Sequence, residues 1–138
     1  MQFTIAIIAT ALAGLSAASP VASPATSNSR RFVPGQCGVH VTQWQKNENG
    51  VGADYQYDVT IVDAVGQGVG GAVRLSVPDY QSGDVYSQLP YTLVITSGAV
   101  DSDPVQFAYA GYVFSSSAGC STGGYENGNR DMDCGFGC

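Results

Sequence analysis

Tyr55-Gln-Tyr-Asp-Val-Thr-Ile-Val-Asp63 decides the fold class of this chain. Tyr55, Tyr57, Val59 and Ile61 alternate with Gln56, Asp58, Thr60 and Val62, and a period of two gives a strand one buried face. Residues 69–77 repeat the pattern, with Val69, Val73, Leu75 and Val77 expected on one face and Arg74 and Ser76 on the other. The short Gly-containing connection 64–68 makes the two strands a hairpin. Upstream, residues 39–45 predict a first strand, with Val39 and Val41 opposite His40, Thr42 and Trp44. Downstream, 91–96 is rich in β-formers, and 105–114 reads as one strand with Val105, Phe107, Tyr109 and Val113 on one face. That phase puts Tyr112 and Phe114 on the outward side. Residues 85–89 predict a short sixth strand.

Turn chemistry separates these runs. Asn47-Glu-Asn-Gly-Val-Gly52 contains an Asn-Gly pair suited to positive φ, and Pro78-Asp-Tyr-Gln-Ser-Gly83 is a second loop. Residues 97–104 form a third, with Gly98 and the run Asp101-Ser-Asp-Pro104. No segment sustains a 3.6-residue period for three turns, so little helix is expected. Short strands at this spacing predict an all-β, antiparallel sandwich or small barrel. Residues 115–138 carry six glycines and predict an irregular tail pinned by disulfides.

The beginning of the chain has a different composition. An apolar run, residues 3–15, leads into Ser16-Ala-Ala-Ser-Pro20, as in a secretory signal of residues 1–18 with cleavage near Ala18. It is too short to span a membrane. Residues 19–31 are Ser/Ala/Pro-rich and end in Arg30-Arg31, which predicts a pro-segment removed at a dibasic site. A mature domain of residues 32–138, secreted and extracellular, would remain, and such processing suggests a fungal source.

The whole chain carries a formal net charge of −6, which becomes −8 when Arg30 and Arg31 leave. Only Lys46, Arg74 and Arg130 then face eleven acids, so neither nucleic acid nor an anionic membrane is an expected partner. No later stretch has the length of a membrane span. There is no Asn-x-Ser/Thr sequon. Four cysteines, Cys37, Cys120, Cys134 and Cys138, predict two disulfides in an exported chain. Cys37–Cys138 would tie the first strand to the last residue, with Cys120–Cys134 closing the Gly-rich tail. Cys37–Cys120 with Cys134–Cys138 is the alternative.

Catalytic signatures are sparse. His40 is the sole histidine, and no serine sits in a nucleophile-elbow motif. Asn129, Asp131 and Asp133 have the alternating oxygens that begin a calcium loop, yet Cys134 stands where the turn glycine belongs. Asp101 and Asp103 also read as an ordinary turn. No cofactor or metal is expected, and no catalytic residue is assigned. Trp44, Tyr112 and Phe114, on the outward phase of their strands, are the candidate surface-binding residues, an aromatic patch for a carbohydrate or protein.

Several ordered runs carry a wider likeness. They are Cys37-Gly-Val-His-Val-Thr-Gln-Trp-Gln-Lys-Asn-Glu-Asn49, Asp58-Val-Thr-Ile-Val-Asp63, Gln88-Leu-Pro-Tyr-Thr-Leu-Val-Ile-Thr96, Val100-Asp-Ser-Asp-Pro-Val-Gln-Phe-Ala-Tyr109 and Gly124-Tyr-Glu-Asn-Gly-Asn-Arg-Asp131, with the terminal Cys138. Together they resemble a family of small secreted fungal proteins that includes elicitors of the plant hypersensitive response. The resemblance implies a β-rich effector or elicitor, without catalysis, that binds an extracellular plant or cell-wall component, and it brings no active site. Size, charge and cysteine count also fit small acidic fungal guanyl-specific ribonucleases, and Ser82-Gly-Asp-Val-Tyr-Ser87 resembles a stretch of that enzyme. That chemistry needs a second histidine as general acid. A cell-wall glycan-binding module using exposed aromatics is a further alternative.

Overall fold

The computed structural model describes residues 31–138. The expected signal and all but the last residue of the expected pro-segment lie outside the described residues. Nine strands follow in order: β1 Gln36–Trp44, β2 Tyr55–Val62, β3 Gly68–Val77, β4 Ser82–Val85, β5 Leu93–Thr96, β6 Gln106–Tyr109, β7 Tyr112–Ser115, β8 Cys120–Thr122 and β9 Asn129–Gly137. They form two antiparallel sheets, one ordered β3-β2-β1-β9-β8 and the other β4-β5-β6-β7. The described residues contain no helix, and none long and apolar enough to cross a membrane. The protein is an all-β sandwich with two disulfides.

Alternation sorts the side chains as the strand physics requires. Val39 and Val41 on β1, Tyr55, Tyr57, Val59 and Ile61 on β2, and Met132, Cys134 and Phe136 on β9 are buried on the inner face of the five-stranded sheet. Leu93, Ile95, Phe107 and Tyr109 answer them from the other sheet, and the two faces close one core. The sheets also touch through the main chain at one corner. Gly70 bridges to Ser87, and Gln88 N–H donates to the Val69 carbonyl at 2.8 Å. A Cβ on Gly70 would stand 2.5 Å from the Ser87 Cα, so only glycine permits that approach.

Four expectations are corrected. Residues 105–114 are not one strand but the β6–β7 hairpin, turning at Ala110 (φ 51°) and Gly111 (φ 87°). Both central residues sit at positive φ, as in a type I′ hairpin turn. The turn resets the phase: Tyr112 pairs with Tyr109 and Phe114 with Phe107, so these two pairs share the inward side, while Val113 is 74 % exposed.

On β3 the expected face is broken by a bulge. Leu75 pairs with Tyr57 and Ala72 with Val59, which leaves Val73 and Arg74 opposite Asp58 alone. Val73 is therefore 85 % exposed, away from buried Val69 and Val77.

The tail is pinned by disulfides but is not irregular. β9 lies between β1 and β8, paired with β1 over its whole length, from Gln36↔Gly137 to Trp44↔Asn129. Met132, Cys134 and Phe136 point inward while Asp131, Asp133 and Gly135 face out, a period of two written in residues of low strand propensity. The short strand expected at 85–89 is displaced: β4 spans Ser82–Val85, shares only Val85 with it, and takes in Ser82 and Gly83 from the expected loop.

The cysteines pair as Cys37–Cys138 and Cys120–Cys134. Cys120 and Cys134 are direct cross-strand partners, with Cα atoms 4.1 Å apart. Cys37 and Cys138 join neighbouring strands at 5.8 Å, bracketed by two main-chain hydrogen bonds between Gly35 and Cys138.

Candidate functional site

Six of the acidic side chains, Asp58, Asp63, Asp101, Asp103, Asp131 and Asp133, are absorbed into structural hydrogen bonds. Asp63 accepts the N–H groups of Val33 (2.9 Å), Val65 (3.1 Å) and Gln67 (3.0 Å). These bonds, with Val33 first, hold its carboxyl below the ordinary range against the opposing effect of burial. Asp103 accepts the N–H groups of Ala99 and Val100 and is likewise held low. Asp101 takes the Tyr55 hydroxyl at 2.6 Å and the Gln45 amide at 2.5 Å. The pair Asp101 and Asp103 thus builds a turn and buttresses the end of the sandwich.

That end holds a polar network. Tyr57 and Ser97 share a hydroxyl hydrogen bond of 2.7 Å, and Arg130 donates to Gln43 at 2.8 Å and to the Asp103 carbonyl at 3.2 Å. Lys46 reaches Asp79 at 2.6 Å and the Ala99 carbonyl at 2.9 Å. Burial raises the phenols of Tyr55, Tyr57 and Tyr125, the last two to about 12. Tyr55 and Tyr57 join β2 to the 97–104 loop, while Tyr125 lies under the Arg130 guanidinium with its hydroxyl unpaired, and none of the three is poised to donate a proton at neutral pH.

His40 lies on the outer face of β1. Its Nδ1 is 2.7 Å from Asp133 and its Nε2 is 3.5 Å from Asp131, which also accepts the Thr42 hydroxyl at 2.6 Å. The three lie beside a hollow of about 360 Å3 whose lining includes Thr60 and Val62. Asp131 and Asp133 therefore serve His40 and Thr42. Among the described residues no group of three or more His, Cys, Asp or Glu side chains is placed to hold a metal ion. The stretch 82–87 that resembles a ribonuclease belongs mostly to β4, in the other sheet, and does not meet His40.

Trp44, Tyr112 and Phe114 do not form one patch. Trp44 sits on the outer face of the five-stranded sheet, with the Arg74 guanidinium 3.8 Å above its ring and its indole N–H donating to Asp58 at 2.8 Å. Phe114 stacks between Phe107 (5.2 Å) and Phe136 (5.7 Å), joining the two sheets from inside. Only Tyr112 stands free, at 66 % exposure. Phe114 faces inward, against the period-two expectation, because the hairpin turn at Ala110-Gly111 resets the phase.

Tyr112 belongs instead to a cleft of about 350 Å3, where both sheets contribute. Tyr91 and Pro90 come from the loop before β5, Tyr109, Ala110 and Tyr112 from the β6–β7 hairpin, and Gly35, Gly137 and Cys138 from the disulfide-linked ends of β1 and β9. Tyr91 and Tyr109 meet edge to face, with centroids 5.9 Å apart. Tyr91 is 61 % exposed while Tyr109 is buried. The Tyr109 hydroxyl makes no hydrogen bond, although the Tyr91 main chain lies near enough to favour its ionised form slightly against the burial that raises it. The strand period places Tyr109 inward with Phe107, as found, whereas nothing in the sequence singles out Tyr91. The signal that could have joined Tyr109 to Tyr112 is the glycine of Tyr109-Ala-Gly-Tyr112, two residues of turn between aromatic strand ends. Compared with known proteins, the chain matches no family model, no curated protein and no solved structure.

Proposed function

We propose that this is a secreted, non-catalytic binding protein of the effector or elicitor kind, which acts outside the cell on a plant or cell-wall component. The observation that carries the reading is the open tyrosine cleft at the seam of the sheets, a concavity with two exposed aromatic side chains and a buried tyrosine behind them. Two further features support it. The disulfides suit an oxidising compartment. Asp63, Asp103, Asp133 and the lone histidine are committed to hydrogen bonds that shape turns and sheet faces.

Infiltrating the purified 32–138 protein into leaf tissue tests the reading. A local cell-death or defence response from folded protein, absent after heat denaturation and retained in His40→Ala, is the expected result. No response, or a response abolished by one carboxylate substitution that leaves the melting temperature unchanged, would overturn it. Mass spectrometry of the protein from culture medium is expected to give a chain starting at Phe32.

A further inference from the structure

We infer that the cleft walled by Tyr91, Tyr109 and Tyr112 is a saccharide-binding site that takes one or two neutral sugar rings of a cell-wall glycan. The inference rests on the binding function proposed above and names the chemistry of its partner.

Charge comes first. No acidic or basic side chain lines the cleft, although the domain as a whole is strongly acidic. A phosphate or carboxylate ligand would find no cation there. The occupant is therefore not an anion.

Shape and surface come next. A volume of about 350 Å3 is at the small end of ligand sites, too small for a folded peptide segment. Two largely exposed phenol rings, Tyr91 and Tyr112, offer flat apolar faces with polar tips. A pyranose ring presents the complement, an apolar C–H face and a rim of hydroxyls.

The buried wall supplies the third argument. The Tyr109 hydroxyl is sealed from solvent and its proton meets no acceptor, although the Tyr91 main chain lies close to its oxygen. An orphaned buried donor is costly, and proteins retain few of them. A hydroxyl-bearing ligand that displaces the exposed Tyr91 ring packed on Tyr109 would accept the Tyr109 proton. An apolar aromatic ligand would leave the cost in place.

The floor of the site is covalently fixed. Gly137 and Cys138 line the cleft, and Cys138 is held to Cys37. That floor is therefore preorganised rather than assembled by the ligand.

Titration of the 15N-labelled 32–138 protein with cellohexaose, laminarihexaose and chitohexaose tests the inference, with 2-naphthol as a planar control. At least one saccharide is expected to shift the amide signals of Gly35, Tyr91, Ala110 and Gly137 in a saturable manner. Tyr112→Ala removes an exposed ring and is expected to weaken that binding by about tenfold with the melting temperature unchanged. Tyr109→Phe removes only the hydroxyl. It is expected to weaken binding by about fivefold while the melting temperature holds or rises, since the orphan donor is gone. A hydroxyl with no ligand role would give the same rise in stability and no change in affinity, which counts against the inference. Binding of 2-naphthol but of none of the saccharides overturns it, as does saccharide binding unaffected by both substitutions. A leaf response without saccharide binding would overturn this inference alone and leave the proposed function standing. Saccharide binding without a leaf response would do the reverse.

Discussion

Asp58 holds two elements with one carboxylate. Its Oδ2 accepts the Trp44 indole N–H at 2.8 Å, and its Oδ1 accepts the backbone N–H of Arg74 at 2.7 Å, the residue at φ 51° in the β3 bulge. The strained backbone persists because its N–H is satisfied and its guanidinium lies on the Trp44 ring, with one more hydrogen bond to Gln56. Asp58→Ala is expected to cost about 1–3 kcal/mol, read by chemical unfolding, with a red shift in the emission of the chain's single tryptophan as Trp44 loses its partner. Asp63 governs a different observable. Its carboxyl is depressed from the ordinary 3.8, so it binds its proton more weakly in the folded than in the unfolded chain. The stability it contributes is present above the unfolded value and is lost as pH falls through the folded one. The melting temperature is expected to fall below about pH 4, with Asp103 acting in the same sense. An Asp63→Asn variant is expected to start lower at neutral pH and to lose less over that acid window. Equal acid sensitivity in the two proteins would show that Asp63 is not a source of it.

The β6–β7 hairpin is the element on which the candidate site turns. Because Ala110 and Gly111 reverse the chain in two residues, one strand end supplies Tyr109 to the inner wall of the cleft and the next supplies Tyr112 to its rim. Phe114, two residues on, falls back on the same inward side and stacks on Phe107 and Phe136. The two aromatics of this one strand therefore answer differently to truncation. Phe114→Ala is expected to cost about 3 kcal/mol, because it opens a cavity between the sheets, whereas Tyr112→Ala is expected to leave stability within about 0.5 kcal/mol. Thermal melts of the two variants decide the matter, and equal losses would refute the assigned phase. The bulge in β3 is a second case of phase set by a local device. One extra residue opposite Asp58 sends Val73 outward against its apolar character.

At the scale of the whole molecule, the two disulfides divide the work of constraint. Cys37–Cys138 closes a separation of 101 residues, and Cys120–Cys134 one of 14. On the chain-entropy account their removal as paired serine variants is expected to cost about 4–5 and about 3 kcal/mol respectively. Comparative unfolding midpoints test that order. The long bridge also fixes the floor of the cleft, so its loss is expected to affect the site even where the domain still folds. What the sequence determined by itself was the part governed by local periodicity and composition. The alternation in 55–63 demanded a half-buried strand, and Gly, Asn and Pro marked the turns. The even cysteine count demanded bridges, whereas the choice between Cys37–Cys138 and Cys37–Cys120 stayed open until the strands were placed. Only the tertiary structure decided which strands neighbour one another. It placed the glycine-rich end as β9, alongside β1 inside the five-stranded sheet, because long-range hydrogen-bond pairing leaves no local trace when glycine and aspartate fill the outward positions. It also decided that Tyr91, Tyr109 and Tyr112 meet. That convergence depends on a two-residue turn and on two sheets packing face to face, and tyrosine alternation along a chain looks the same whether the rings end in a core or around a cleft.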